Sequence, residues 1–501
     1  MPNAVEAYKR LERRFHDIAV LGDTIRMLHW DQATMMPPLG AEARSEQLAR
    51  LEVLRHERLT APDVAALLAD AEAGAAGLDP WQSANLREMR RIADMASAVP
   101  EDLVAAQSRA SSLCEMTWRA ARRNSDFAAV RGDLQKVLDL TRQTAEARAA
   151  VLGGSLYDAL LAEYEPGGNT AVIDALFDDL AAFLPDFLGE VLAKQQASGP
   201  PERPTGPFAI ETQRALCREM AAVVGLDFES ARMDESAHPF SSGVPEDTRI
   251  TVRFNEEDFS EGLMAVLHET GHAMYERGRP ADWRYQPVGR ARGMVLHESQ
   301  SLLVEMQACR SREFYEWAAP RLRQAFGGNG AVWDVANLHR LAIRVEPDHI
   351  RVDADEVTYP AHVILRYRLE TAMLSGDLAL GDLPGAWNEG IRGLLGITPP
   401  DDRRGCLQDI HWYSGAWGYF PTYTLGALAA AQIFDAAVKD EPAALPGLAR
   451  GDFGPLMAWL RRKVHGEGSR LSTDALLAAA TGGPLDATAF KCHLRRRYLD
   501  G

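Results

Sequence analysis

Apolar side chains recur at three- and four-residue spacing through most of this chain. From Ala4 to about Gly154 the sequence is rich in Ala, Leu, Arg and Glu, and positions such as Leu134, Val137, Leu138 and Leu140 mark one face of a helix. Long amphipathic helices are predicted throughout this part. The rhythm breaks at His29-Trp30-Asp31-Gln32-Ala33-Thr34-Met35-Met36-Pro37-Pro38, a polar and aromatic cluster that reads either as a cleft wall or as a helix end with a buried tryptophan. Leu156 to Gln196 predicts more helix, interrupted by the turn residues of Glu163-Tyr164-Glu165-Pro166-Gly167-Gly168. Ala197 to Pro207 is the most loop-like segment, either a domain boundary or a surface excursion.

Beyond it, Arg249-Ile250-Thr251-Val252-Arg253-Phe254 alternates like a strand. Helix is predicted over Glu261 to Arg277, with Asn255, Asp258 and Ser260 offering capping oxygens ahead of Leu263, Leu267 and Met274. Gly293 to Met306 and Ala361 to Ser375 are again helical, and Tyr413 to Tyr423 predicts a loop rich in glycine and aromatic rings. No repeat with a period of 20–50 residues stands out. The fold class expected is mainly α: a single large helical body over residues 1–501, with a small β-sheet beside one central helix. Its N-terminal helical part covers about 1–200 and its second part about 208–501.

Composition narrows the function classes. With 71 acidic against 54 basic residues, the formal net charge is −17, which argues against nucleic acid or an anionic membrane as partner. The first residues lack a basic region followed by an apolar core, and no uninterrupted apolar run is long enough to span a bilayer, so the expectation is a cytoplasmic protein. Cys114, Cys217, Cys309, Cys406 and Cys492 are odd in number and widely spaced, which fits neither a disulfide framework nor a thiolate metal site; each is expected to be a small buried hydrophobe.

The chemistry concentrates in His268-Glu269-Thr270-Gly271-His272. Two histidines four apart on a helix leave the same face, so two neutral imidazoles reach one Zn²⁺ while Glu269 projects beside it as a general base. Gly271, lacking a side chain, lets another segment press close. Two histidines leave a third ligand to find. Glu298 in the following helix can supply it and leave a fourth position for water, and His297 is the rival. Adjacent helical residues point about 100° apart, so only one of the two binds, and a two-His, one-Glu set favours Glu298. Arg351, set among Asp353, Asp355 and Glu356, and the stretch holding His411, Tyr419 and Tyr423 add polar density suited to a substrate site and an oxyanion.

Together these residues resemble the carboxypeptidase Taq family of zinc metallocarboxypeptidases. His238-Pro239-Phe240 resembles its H-P-F motif, Asp247-Thr248-Arg249-Ile250-Thr251 its D-x-R-x-T, and His297-Glu298-Ser299-Gln300 its H-E-S-Q. Ile350-Arg351 with Ala354-Asp355 fits I-R-x-x-A-D, and Gly405 through Trp412 fits G-x-x-Q-D-x-H-W. Trp30-Asp31-Gln32 and the region from Trp459 to Tyr498 are similar too, so the resemblance covers nearly the full chain. Tyr413 stands where the family has Ser and Trp417 where it has Phe, departures that bear on subsite shape.

The resemblance implies a helical fold with a deep groove, like angiotensin-converting enzyme and neurolysin, and a homodimer. It also implies peptide substrates shortened one C-terminal residue at a time, with broad tolerance and poor action at proline, using zinc, with cobalt also active. On this reading His268, His272 and Glu298 hold the metal, Glu269 is the base, and His411 or Tyr423 stabilises the oxyanion, with Tyr419 as the alternative tyrosine. Arg351, then Arg249, would receive the substrate carboxylate, with His238 and Tyr419 also at the substrate. The strand before the metal helix is expected to offer main-chain hydrogen bonds to an extended peptide. Rival readings are a zinc endo-oligopeptidase or dipeptidyl carboxypeptidase and, more remotely, a non-enzymatic helical metal-binding protein.

Overall fold

Apolar stripes at helical spacing must be buried against one another, and helix on helix is the arrangement found. The computed structural model describes residues 2–500 and contains twenty α-helices and one three-stranded sheet among them. The long N-terminal helix, Pro2–Thr34, runs through His29 and Trp30 and stops just ahead of the double proline; Trp30 is buried. The turn at 163–168 separates Leu156–Leu161 from Thr170–Ser198, and the loop that follows ends at the helix Ile210–Val224. A smaller apolar core, with Leu11, Phe15, Leu68 and Met89, joins three N-terminal helices, while the main core extends from Ala110 to Tyr498. Four of the cysteines are buried and unpaired, but Cys492 is exposed, contrary to the expectation for all five.

The sheet consists of β1 (Ala231–Glu235), β2 (Ser241–Val244) and β3 (Asp247–Val252), in the order β1-β3-β2. β3 is parallel to β1 and antiparallel to β2, with Ile250 opposite Met233 on one side and Ser241 on the other. This corrects the expectation that the strand before the metal helix presents an open edge to a peptide. β3 is the central strand, and its neighbours already take up its main-chain groups.

Asp258 caps the helix that follows, accepting from the Ser260 N–H at 2.8 Å, and that metal helix spans Phe259–Gly278. A second helix, Gly293–Leu302, crosses it where Gly271 stands. A Cβ at Gly271 would lie 2.4 Å from the Gln300 carbonyl oxygen and 2.6 Å from Ser301 Cα, so glycine is what allows the two backbones to meet. The second helix continues into a π-helical segment, Leu303–Ala308, a widened turn of the kind often found at functional sites. Tyr359–Ser375 forms a helix buried on most sides. The aromatic loop ends earlier than predicted: helix Pro421–Asp440 takes in Tyr423 in its first turn.

Candidate metal centre

The crossing of the metal helix with Gly293–Leu302 brings His268, His272 and Glu298 together, and one ligand atom from each lies within 4.8 Å of the others. His272 Nε2 is 3.5 Å from a Glu298 carboxylate oxygen. Donors about 2.0–2.2 Å from a tetrahedral Zn²⁺ stand roughly 3.3 Å apart, so this spacing is what an ion between them requires. Glu298 is pressed into place from behind, because a Cβ on Gly426 of helix Pro421–Asp440 would lie 2.8 Å from its Cβ.

Each histidine is held by its other nitrogen. His268 Nδ1 is 3.0 Å from Glu305 Oε2, and Glu305 is paired in turn with Arg310 at 2.6 Å. His272 Nδ1 is 3.0 Å from the main-chain carbonyl of His297, which can only accept, so the proton sits on His272 Nδ1. His272 Nε2 is thereby left with its lone pair 3.5 Å from Glu298, and His268, held at Nδ1, keeps Nε2 to offer an ion in exchange for its proton. His297 Nδ1 lies 2.8 Å from His272 Nδ1 and its Nε2 lies 3.1 Å from Glu276, itself paired with Arg279 at 2.8 Å. With both ring nitrogens engaged, His297 orients a neighbour and has no lone pair to offer a metal.

The electrostatics call for a cation. Burial disfavours a charged His268, yet the Glu305 hydrogen bond and the charges of Glu298 and Glu269 outweigh it and lift its pKa to about 10. Burial pushes Glu298 up, opposed by His268, His297 and Arg351. Glu269, also buried, is raised by burial to about 7, and its Oε2 has no hydrogen-bond partner in the protein. Two imidazole lone pairs, a carboxylate and a free carboxylate oxygen alongside fit a divalent metal with a water for Glu269 to face.

Opposite stand the aromatic groups. His411 Nε2 is 3.2 Å from the Tyr423 hydroxyl, and the Tyr419 and Tyr423 rings are 5.1 Å apart. Burial, with Arg351 and Arg366 adding to it against Asp409, holds His411 down at about 4, so it is neutral at pH 7. Arg351 is buried, donates to Asp409 at 3.1 and 2.8 Å, and stacks 4.8 Å over the Tyr423 ring. Its Nη1 lies 3.5 Å from the Tyr359 hydroxyl. Asp409 also receives Arg366 at 2.6 Å, so two guanidinium groups share one carboxylate.

Arg249 and His238 belong to the sheet region that precedes the metal helix. Arg249, on β3, is paired through two nitrogens with Asp247 at 3.0 and 2.8 Å and stacked on Trp30 at 3.9 Å. His238 is exposed on the loop between β1 and β2. Sequence alone assigns no role to Glu305, Asp409, Arg366 or Tyr359. Glu305 had a legible signal, since it is the lone charge in Leu302-Leu303-Val304-Glu305-Met306, and a buried charge needs a partner.

Two histidines and a glutamate gathered around one point, with a carboxylate beside them, match the two-His, one-Glu donor set of zinc peptidases. The profile of the carboxypeptidase Taq (M32) metallopeptidase family matches residues 10–498, and the chain belongs to that family. It is similar to thermostable carboxypeptidase 1 of Thermus thermophilus, 38% identical with 98% of each chain covered, and to that of Pyrococcus furiosus, 34% identical with 99% of each covered. The solved metallocarboxypeptidase 1 of Trypanosoma cruzi superposes with a TM-score of 0.97 at 39% identity, over 99% of this chain and 100% of that one. The protein is accordingly a metal-dependent carboxypeptidase, a peptide hydrolase that uses a divalent metal. Among the described residues, no helix is long and apolar enough to cross a membrane.

Proposed function

We propose that the resident metal is zinc, with cobalt able to take its place, and that the enzyme removes single residues from the C-terminus of peptides with broad side-chain tolerance. The observation that carries this reading is the donor set: His268, His272 and Glu298 within 4.8 Å, with the far nitrogen of each imidazole already held. When bound, the ion supplies Lewis acidity at the scissile carbonyl and acidifies water. Glu269 takes the water's proton at its unpartnered oxygen and returns it to the departing amine, a general-base role supported by its buried place beside the donor set. His411 or Tyr423 hydrogen-bonds the oxyanion, and Tyr419, one ring away, is the alternative donor.

The substrate's free carboxylate goes to Arg351. Two arginines sharing Asp409 leave one positive charge in excess, and Arg351 Nη1 faces only the Tyr359 hydroxyl. Arg249 is the second choice because its fork is already matched by Asp247. His238 contributes at most at the rim, where its exposure leaves it. Residues 1–501 form one catalytic domain on this reading, supported by the core that runs from Ala110 to Tyr498. A cytoplasmic homodimer without nucleic-acid partners completes the proposal, supported by the family resemblance and the acidic net charge.

Metal analysis of purified variants tests the assignment. His268→Ala, His272→Ala and Glu298→Ala should each lose the bound zinc, whereas Glu269→Gln should keep it and lose nearly all turnover. A Glu298→Ala protein with full metal, alongside a His297→Ala protein without it, would make His297 the third ligand.

A further inference from the structure

The helix Tyr359–Ser375 carries two fully buried charged residues one turn apart, Arg366 and Glu370. Residues at i and i+4 share a helix face, so both look toward the same neighbour. That neighbour is the loop from Gln408 to Gly418. Arg366 grips its start, donating to Asp409 at 2.6 Å and to the Gln408 side-chain oxygen at 2.7 Å. Glu370 grips its end: Oε1 accepts the Gly418 N–H at 2.7 Å, and Oε2 lies 2.8 Å from the Tyr157 hydroxyl. His411 lies inside the gripped span, and Tyr419 is the residue after Gly418.

Gly418 has no slack. Its φ is +87°, and a Cβ would lie 2.9 Å from Leu161 N, on the short helix that also supplies Tyr157. Within the loop, the Ala416 N–H donates to the His411 carbonyl at 2.8 Å, so a shift at the Gly418 end is passed to His411. A carboxyl buried with no arginine bonded to it is costly, and an apolar residue would pack at the same place without that cost.

We propose that Glu370 is a positioning residue for hydrolysis: with Arg366 it clamps the 408–418 loop and so fixes His411 and Tyr419 relative to the metal side of the site. The clamp rests on the reading that this loop supplies oxyanion donors. Burial raises Glu370 to about 8, against its hydrogen bonds, and glutamine can keep both contacts, an oxygen for the Gly418 N–H and an amide donor for the Tyr157 hydroxyl.

The test compares Glu370→Met, Glu370→Gln and Glu370→Asp, together with the direct donor variants His411→Ala, Tyr419→Phe and Tyr423→Phe. Metal content, kcat and KM are measured on one free-acid peptide, and hydrogen exchange is followed over 411–420. Methionine fills the space without an acceptor, and aspartate withdraws the carboxyl by about 1.5 Å. Both should lower kcat by roughly 10- to 100-fold, the scale of an ångström-level misplacement, with bound metal unchanged, KM moved less than kcat, and faster exchange over the loop. Glutamine should stay within about threefold of wild type. If the methionine variant does not fold, aspartate carries the test alone. The proposal is overturned if these variants exchange faster yet keep wild-type kcat, if glutamine fails like methionine, or if metal is lost in step with activity. Should His411→Ala, Tyr419→Phe and Tyr423→Phe all keep full activity as well, the donor reading falls with it; if only donor variants lose activity, the reading stands and the clamp alone is refuted.

Discussion

Arg351 carries a charge that its surroundings only half use. Asp409 neutralises one guanidinium's worth, but Arg366 draws on the same carboxylate, and the Tyr423 ring below and the Tyr359 hydroxyl beside it are neutral. On the proposed reading, a free C-terminal carboxylate entering this site sheds its hydration and meets a planar fork already fixed in orientation. Charge-assisted hydrogen bonds of this kind contribute about 1.5–3 kcal/mol. Arg351→Ala should therefore lower kcat/KM for free-acid peptides by roughly 10- to 100-fold. The ratio is the informative quantity, because an anchor variant loses its preference for acid over C-terminal amide, while a variant damaged in folding slows both. An unchanged preference would reduce Arg351 to a structural partner of Asp409 and move the test to Arg249.

At the scale of elements, the metal centre depends on two helices and on what backs them. The metal helix was legible from its capping residues and from His268 and His272 at four-residue spacing, and Gly271 marked the crossing point before any partner was known. Glu298 could be chosen over His297 only by ligand chemistry; the structure adds that both His297 nitrogens face His272 and Glu276. The backing carboxylate Glu305 was missed because its approach to His268 depends on a π-helical turn, which a 3.6-residue periodicity does not reveal. The two shorter strands were missed for a related reason. Ala231–Glu235 and Ser241–Val244 alternate weakly, and their pairing with β3 is a tertiary matter. The glycine and aromatic content of 413–423 predicts a loop through Tyr423, but Pro421 is well suited to the first helical turn that takes Tyr423 in. If Glu305 fixes the His268 tautomer, Glu305→Ala should weaken zinc affinity by about 10- to 100-fold in chelator competition. Unchanged affinity would leave Glu305 as no more than Arg310's counter-ion.

Over the whole molecule, the C-terminal end is tied back to the region behind the metal by buried charge. Glu356, almost fully buried, meets His493 at 2.8 Å, Arg497 at 2.9 Å and the Tyr498 hydroxyl at 3.0 Å. Burial alone would raise its pKa, but the Arg497 guanidinium and the hydrogen bond from His493 hold it well below the usual carboxylate range, while burial keeps His493 itself below its ordinary value. The sign follows from linkage: a depressed carboxyl contributes stability that is complete above its unfolded value, about 4.3, and is lost as pH falls toward the folded one. Thermal melting should begin to drop as pH falls below about 4.3 and go on dropping toward the folded value. Glu356→Gln should melt lower at neutral pH, because it strands buried cations, yet show a shallower acid slope. Parallel slopes would assign acid sensitivity to other carboxyls.

The central claim is that this helical body, its metal triad and its carboxylate anchor act together as an exopeptidase. One time course tests it most directly: a single free-acid peptide is incubated with zinc-loaded enzyme and the products are read by mass. The account predicts a ladder of products each shorter by one C-terminal residue, with the amidated peptide left nearly intact. Internal cuts, release of dipeptides, or equal cleavage of acid and amide would contradict it.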